Sequence, residues 1–186
     1  YGENPQQQSS VYIDDSSYGI LNSRIHQGKQ LSYNNIMDAD AAVSCLTEFD
    51  DPGCVVIKHA NPCGAAINDN IDSAFKDAIE ADKLSAFGGI IAINRECTEF
   101  IANYLKKFFI EIIIAPSFSE RALDIFKNKK NLRVVEIHNF NNFKSDTSVR
   151  NIHGGLLLQQ EDEIILTPNL LKTVTQSTVD DSVINT

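Results

Sequence analysis

Cys54-Val55-Val56-Ile57-Lys58-His59-Ala60-Asn61-Pro62-Cys63-Gly64 is the stretch on which the reading of this chain turns. The run from Cys54 to Ile57 is apolar and of strand length, the pattern of a strand buried on both faces. It delivers a lysine and a histidine side by side. Asn61-Pro62-Cys63-Gly64 is then expected to turn the backbone, since Pro62 pushes Asn61 out of the helical region. On an ideal strand Lys58 and His59 would point to opposite faces, so both reach one ligand only where the strand ends between them. Histidine exchanges a proton near neutral pH and lysine can hold a positive charge beside it. At the end of a buried strand the pair sits where α/β proteins bind ligands. The alternative is a lysine snorkelling at a strand end beside a hydrogen-bonded histidine. These residues alone do not choose between the two.

Working outward, Ile36, Ala39, Ala42, Val43, Leu46 and Phe49 fall on one helical face, and Asp51-Pro52-Gly53 ends that helix. Residues 71–79 are amphipathic, with Asp69 or Asn70 available as N-cap. Residues 87–93 read as a strand entered through Gly88-Gly89; residues 98–107 and 119–129 read as helices, and 111–115 and 132–137 as strands. Strands alternating with helices of this length predict βαβ units, a mostly parallel sheet and covered faces. Upstream, residues 1–34 are rich in Gln, Ser, Asn and Tyr, with a short strand signal at Val11-Tyr12-Ile13. Residues 138–150 read as a polar loop, 154–159 as one further strand, and 167 onward as a polar tail with a weak strand signal.

Composition narrows the classes. Hydrophobic residues make up 42% of the 186 and charged residues 22%, as in an ordinary globular domain with a full core. The net charge of −9 argues against non-specific nucleic-acid binding, which needs a basic face, but leaves room for an anionic small ligand held by a few local cations. No apolar run approaches a membrane span, and no charged-then-apolar leader precedes the first helix. Cys45, Cys54, Cys63 and Cys97 lack paired CxxC spacing, which points to reduced thiols and a cytoplasmic setting. An opening at Tyr1 without methionine and a polar close suggest a piece of a longer protein.

Beyond Lys58 and His59, three features are candidates for a site. Gly88-Gly89 permits close approach of backbone to a ligand, or marks a bend. Glu111 opens a strand of isoleucines, where a carboxylate can accept bonds from a ligand amine or hydroxyl, or simply be solvated. Gly154-Gly155 reads as a turn. His26, His138 and His153 lie in loops without metal-ligand spacing. Zinc nucleobase deaminases carry H-x-E followed by P-C-x-x-C. Here His59-Ala60-Asn61 lacks the glutamate and Cys63 has no second cysteine three residues on, so zinc chemistry is not expected.

Taken together, Tyr1-Gly2-Glu3-Asn4-Pro5, Gln30-Leu31-Ser32-Tyr33-Asn34-Asn35-Ile36, Val56 to Gly64, Ser85-Ala86-Phe87-Gly88-Gly89-Ile90-Ile91-Ala92, Glu111-Ile112-Ile113-Ile114-Ala115-Pro116 and Gly154-Gly155-Leu156-Leu157-Leu158-Gln159 resemble one family. It is the formyltransferase domain of the bifunctional purine-biosynthesis proteins that carry AICAR transformylase and IMP cyclohydrolase. Each block is weak alone; six in the family's order and spacing, from Tyr1 to about residue 160, are specific.

The resemblance implies formyl transfer from 10-formyltetrahydrofolate, as co-substrate, to the 5-amino group of AICAR, giving FAICAR, the penultimate step to IMP. It implies a three-layer α/β/α, cytidine-deaminase-like fold with a mostly parallel mixed sheet, used without zinc or any other metal. Residues 1–166 would be the first such unit, and 167–186 would begin the connection to a second. A homodimer with no nucleic-acid or membrane partner is implied as well. Carried onto this sequence, His59 matches the family's proton acceptor and Lys58 its transition-state stabiliser, while Tyr1, His59, Gly88 and Glu111 match AICAR-binding positions. The arginine expected just before Tyr1 lies outside the chain, and Gln6 stands where the family commonly has histidine. The second unit, with an asparagine, a phenylalanine, further arginines and much of the folate site, also lies outside. The competing class is a non-catalytic α/β ligand-binding or interaction domain on the same scaffold.

Overall fold

A computed structural model describes residues 1–13, 19–138, 140, 147–162, 167, 170–177 and 179–180. The chain forms two compact units, residues 1–144 and 145–186.

The first unit is built on a six-stranded sheet of β1 (Arg24–Gln27), β2 (Gly53–Lys58), β3 (Asn61–Ile67), β4 (Ile90–Ile93), β5 (Ile112–Ala115) and β6 (Arg133–Glu136). Their spatial order is β1-β6-β5-β4-β2-β3. Only β4–β5 and β5–β6 pair in parallel; β1–β6, β4–β2 and β2–β3 are antiparallel. The sheet is therefore mixed rather than mostly parallel. The expectation failed at β3, because an α/β alternation leaves no room for a hairpin, and at β1, which lies in a stretch without apolar periodicity.

Five helices accompany the sheet among the described residues: α1 (Tyr33–Leu46), α2 (Ile71–Ala81), α3 (Lys83–Ala86), α4 (Glu99–Leu105) and α5 (Glu120–Phe126). Each of the longer four starts at a polar residue whose side chain accepts a backbone N–H three residues on: Ser32, Asn70, Thr98 and Ser119. At α1 the cap is reciprocal, with the Asn35 side chain also accepting from the Ser32 N–H.

Alternation along the strands divides the core in two. Val55 and Ile57 of β2, with Ile90, Ala92, Ile112 and Ile114, pack under Ala39, Ala42, Val43 and Leu46 of α1. Cys54 and Val56, with Ile91, Ile93, Ile113 and Val134, face α2, α4 and α5 through Phe75, Ile79, Ile101, Leu105 and Phe126. Phe75 and Phe126 are wholly buried, each worth about 2–3 kcal/mol over an exposed side chain. Helices thus cover both faces in three layers, α1 on one side and α2, α4 and α5, with Ala86 of α3, on the other.

The second unit contains a hairpin of β7 (Thr147–Ile152) and β8 (Gly155–Gln160), paired from Ile152↔Gly155 to Thr147↔Gln160. The expected strand at 154–159 is present, but its partner begins inside the segment read as a loop. Val11-Tyr12-Ile13 forms no strand. The weak strand signal of the tail forms no strand at residues 167, 170–177 and 179–180, and the rest of the tail lies outside the described residues.

Candidate functional site

The largest departure from the sequence reading lies inside the stretch that opened it. The backbone reverses at His59-Ala60, not at Asn61-Pro62-Cys63-Gly64, which instead begins β3. Lys58 pairs with Asn61 across a two-residue loop. His59 and Ala60 each have φ 55°, the pair of positive values that a type I′ hairpin turn requires, and they are the two non-glycine residues with positive φ among those described. Such turns favour Asn-Gly, since the left-handed conformation costs an ordinary residue about 1–2 kcal/mol. Pro62 is tolerated because β3 is an edge strand where a missing N–H breaks no inner ladder. The register shifts between Val56 and Ile57, which pair with Gly64 and Pro62, so Cys63 is the extra residue of a bulge.

Three contacts hold this strained turn. Asp38, one helical turn into α1, accepts the Ala60 N–H at Oδ1 over 2.8 Å. Asn61 Nδ2 donates to the His59 carbonyl at 2.7 Å. The Lys58–Asn61 pair closes the ladder beneath. Strand β2 ends at Lys58, so the strand does end between lysine and histidine, and the His59 side chain is exposed.

Lys58 is half-buried and its Nζ donates to the Phe87 carbonyl at 3.0 Å, which leaves two ammonium hydrogens to offer. Phe87 precedes Gly88, which has φ 78° and whose N–H donates to the Phe109 carbonyl at 2.8 Å. The Phe87 and Phe109 rings lie 5.3 Å apart and are both substantially exposed, framing that glycine. A Cβ on Gly89 would come within 2.8 Å of the Ile57 carbonyl oxygen, so the glycine pair lets the entry to β4 pass close against β2.

Glu111 follows one strand further on. Its N–H donates to the Gly89 carbonyl, and its own carbonyl accepts from Arg133 N–H, both at 3.0 Å. Lys58, Gly88-Gly89, Glu111 and Arg133 thus lie in succession along one end of the sheet, on β2, β4, β5 and β6. At the usual strand spacing the backbones of Lys58 and Glu111 are about 10 Å apart. Glu111 Oε2 accepts from Asn35 Nδ2 at 2.8 Å and lies 3.8 Å from Arg133 Nη1. Both neighbours engage Oε2, which leaves Oε1 to accept from a ligand hydroxyl or amine. Arg133 is itself pinned, its Nε donating to the Lys29 carbonyl at 3.2 Å.

Tyr1 is 71% exposed. Its segment is folded back on itself by the Gly2 N–H to Gln7 carbonyl bond at 2.8 Å, and Asn34 Nδ2 donates to the Glu3 carbonyl at 3.2 Å. Residues 1–7 are thereby moored at the first turn of α1, one residue from Asn35.

This site lies at the carboxyl end of β2 but at the amino ends of the parallel strands β4, β5 and β6. β2 runs antiparallel to β4, so the end of the sheet that carries Lys58 is the one opposite the carboxyl ends of the parallel strands, where α/β sheets commonly bind ligands. Sequence reasoning missed Asp38, Asn35 and Arg133. The i, i+3 spacing of Asn35 and Asp38 on one helical face, with Ala39 and Ala42 buried behind, was the available signal.

Away from the site, two histidines set aside by their spacing converge on one carboxylate. His26 Nε2 lies 2.8 Å from Glu136 Oε2 and His138 Nε2 3.1 Å from Glu136 Oε1, with Arg24 Nη1 at 3.9 Å. They satisfy a buried glutamate at the far end of β6. Among the described residues no group of three or more His, Cys, Asp or Glu side chains is arranged to hold a metal ion. No helix there is long and apolar enough to cross a membrane.

The family described as AICARFT/IMPCHase bienzyme matches residues 1–186. The bifunctional purine biosynthesis protein PurH of Thermoanaerobacter sp. (strain X514) is 46% identical over 177 residues, which cover 95% of this chain and 34% of that protein. PurH of Halalkalibacterium halodurans is 48% identical over 164 residues, 87% of this chain and 32% of the relative. PurH of Staphylococcus aureus (strain JH1) is 45% identical over 177 residues, 95% and 36% of the two chains. Among solved structures, Acinetobacter baumannii RibD, form 1, is similar over 57% of this chain and 37% of that one, with a TM-score of 0.43 and 16% identity. The chain spans about a third of the length of the curated relatives it matches. It belongs to the AICARFT/IMPCHase bienzyme family.

Proposed function

We propose that this chain carries the acid–base pair of a formyltransferase that passes a formyl group from 10-formyltetrahydrofolate to the 5-amino group of AICAR, giving FAICAR on the route to IMP. In this reading residues 1–166 are the first of two cytidine-deaminase-like units, used without zinc, and 167–186 begin the connection to the second. The complete protein is a cytoplasmic, homodimeric bifunctional enzyme that also carries IMP cyclohydrolase. Four free cysteines fit a reducing compartment.

The observation that carries the reading is the succession Lys58-His59, Gly88, Glu111 along one end of the sheet, in a chain of this family. The AICAR amine is a poor nucleophile, because the neighbouring carboxamide withdraws electron density from it. Its attack on an acyl carbon calls for removal of a proton, and the exposed imidazole of His59 is a suitable acceptor at neutral pH. The folate supplies an activated one-carbon acyl group. Negative charge then develops on the acyl oxygen, and the two remaining N–H donors of Lys58 can meet it. The same ammonium can give a proton to the departing nitrogen. Glu111, its orientation fixed by Asn35 and Arg133, accepts from the nucleotide's polar groups, and Gly88 lets the ligand approach the backbone without meeting a Cβ.

The test is His59→Ala and Lys58→Ala in the complete enzyme, assayed with AICAR and 10-formyltetrahydrofolate. His59→Ala is expected to lower kcat on the order of 10²-fold or more. Retained cyclohydrolase activity would report an intact protein. A His59→Ala enzyme with near-normal kcat would remove His59 from the role of base.

A further inference from the structure

We infer that Asp38 is a positioning residue for His59: by accepting the Ala60 N–H it holds the His59-Ala60 turn in its left-handed conformation, and so sets where the imidazole stands. The inference rests on the proposed role of His59 as base.

Two adjacent non-glycine residues with φ 55° do not keep that conformation unaided in an exposed two-residue loop. Ladder pairing fixes the residues on either side, Lys58 and Asn61, but reaches neither His59 nor Ala60. Within the loop, Asn61 Nδ2 holds the His59 carbonyl at 2.7 Å from the downstream strand. The contact that comes from another element is Asp38 Oδ1 to Ala60 N, at 2.8 Å. It is charge-assisted, and it is made from a helix whose adjoining face is locked into the core by Ala39, Ala42 and Val43. Asp38 is half-buried, so its carboxylate approaches the turn from a fixed base. Without it, the peptide between His59 and Ala60 loses its anchor to the body of the protein, and the loop can relax to a turn that carries the imidazole to a different place. Catalytic geometry tolerates little of this, since a shift near 1 Å can cost about a hundredfold in rate. The same helix supplies Asn35 to Glu111, so α1 orients a residue on each side of the site.

The complete enzyme tests this through three variants. Asp38→Ala is expected to lower kcat for formyl transfer between about tenfold and about a hundredfold, with KM for AICAR little changed. Asp38→Asn keeps an acceptor at the same place and is expected to stay close to wild type. The deciding variant is Asp38→Ala with Ala60→Gly. Glycine adopts positive φ without strain, so the turn should re-form without its anchor and most of the lost kcat should return. A general loss of stability would not be repaired by a glycine in the turn. Wild-type kcat in Asp38→Ala would overturn the inference, as would failure of Ala60→Gly to rescue it, or an Asp38→Asn enzyme as poor as the alanine variant. His59→Ala, run alongside, separates the two claims: if it keeps its kcat, the base assignment falls first, whereas a dead His59→Ala beside a fully active Asp38→Ala sinks only the positioning role.

Discussion

The amide of Asn35 donates to Glu111 Oε2 across 2.8 Å, while its side-chain oxygen accepts from the Ser32 N–H at 3.2 Å. One buried side chain therefore closes the cap of α1 and fixes a carboxylate at the amino end of β5. Helix start and strand end are thus set by a single residue, and the position of Glu111 is coupled to the integrity of the first helical turn.

Asn35→Ala removes both bonds at once. Loss of the reciprocal cap and of a buried hydrogen bond is expected to cost about 1–2 kcal/mol of stability, read by denaturant unfolding. KM for AICAR should rise with kcat less affected, because Glu111 is released but the Lys58-His59 turn is untouched. Asn35→Asp sharpens the test: it keeps an acceptor for Ser32 but sets a second negative charge against Glu111. Stability at neutral pH should fall at least as far as in the alanine variant, with weakened AICAR binding, and unchanged binding would detach Glu111 from the nucleotide.

Much of this architecture was legible from periodicity. The buried faces of α1 and α2 and the isoleucine strand β5 follow directly from apolar spacing, since long regular elements bury a single face. The hairpin was not legible, for a physical reason. Asn-Pro-Cys-Gly carries every composition cue of a turn, while His-Ala carries none; the actual turn is stabilised from outside, by Asp38 and Asn61, and Pro62 escapes notice because it lies on an edge strand. Lys58, His59, Gly88 and Glu111 were singled out as separate candidates. That they share one end of the sheet depends on β2 running antiparallel to β4, which no local pattern encodes.

Gly64 gives an independent check on that topology. A Cβ there would overlap the Ala78 carbonyl oxygen, a backbone atom, so the clash cannot be relieved by a rotamer change. Read as a turn position, Gly64 would accept alanine easily. In β3 packed under α2, Gly64→Ala should destabilise by roughly 3 kcal/mol or more. A melting temperature unchanged by the substitution would contradict the approach of α2 to β3.

The four thiols should separate by burial. Cys54 and Cys97 are wholly buried, and desolvation pushes both thiols far above their ordinary range, in Cys97 with added repulsion from Asp72. Cys45 and Cys63 are only partly buried, and burial raises them too, Glu48 adding to the effect at Cys45. Because thiolate is the reactive form, iodoacetamide at mildly alkaline pH should label Cys45 and Cys63 slowly and spare Cys54 and Cys97 until the protein is denatured. Mass spectrometry of labelled peptides reads this directly. Rapid native labelling of Cys54 would place β2 at a surface.

The 186-residue chain by itself is expected to show no appreciable formyl transfer with AICAR and 10-formyltetrahydrofolate. It presents an exposed His59 and a Lys58 with donors to spare, but it spans only about a third of its curated relatives. A two-substrate reaction depends on holding both reactants in register, and that positioning can contribute roughly 7–11 kcal/mol of the barrier reduction. On the proposed reading, keeping Lys58 and His59 without the site for one reactant therefore forfeits more than it retains. Adding the remaining polypeptide, covalently or in trans, should restore turnover, and that restored activity should depend on Lys58. Turnover by the purified chain alone, abolished by Lys58→Ala, would mean that these residues hold both substrates unaided and that the rest of the protein contributes little to this step.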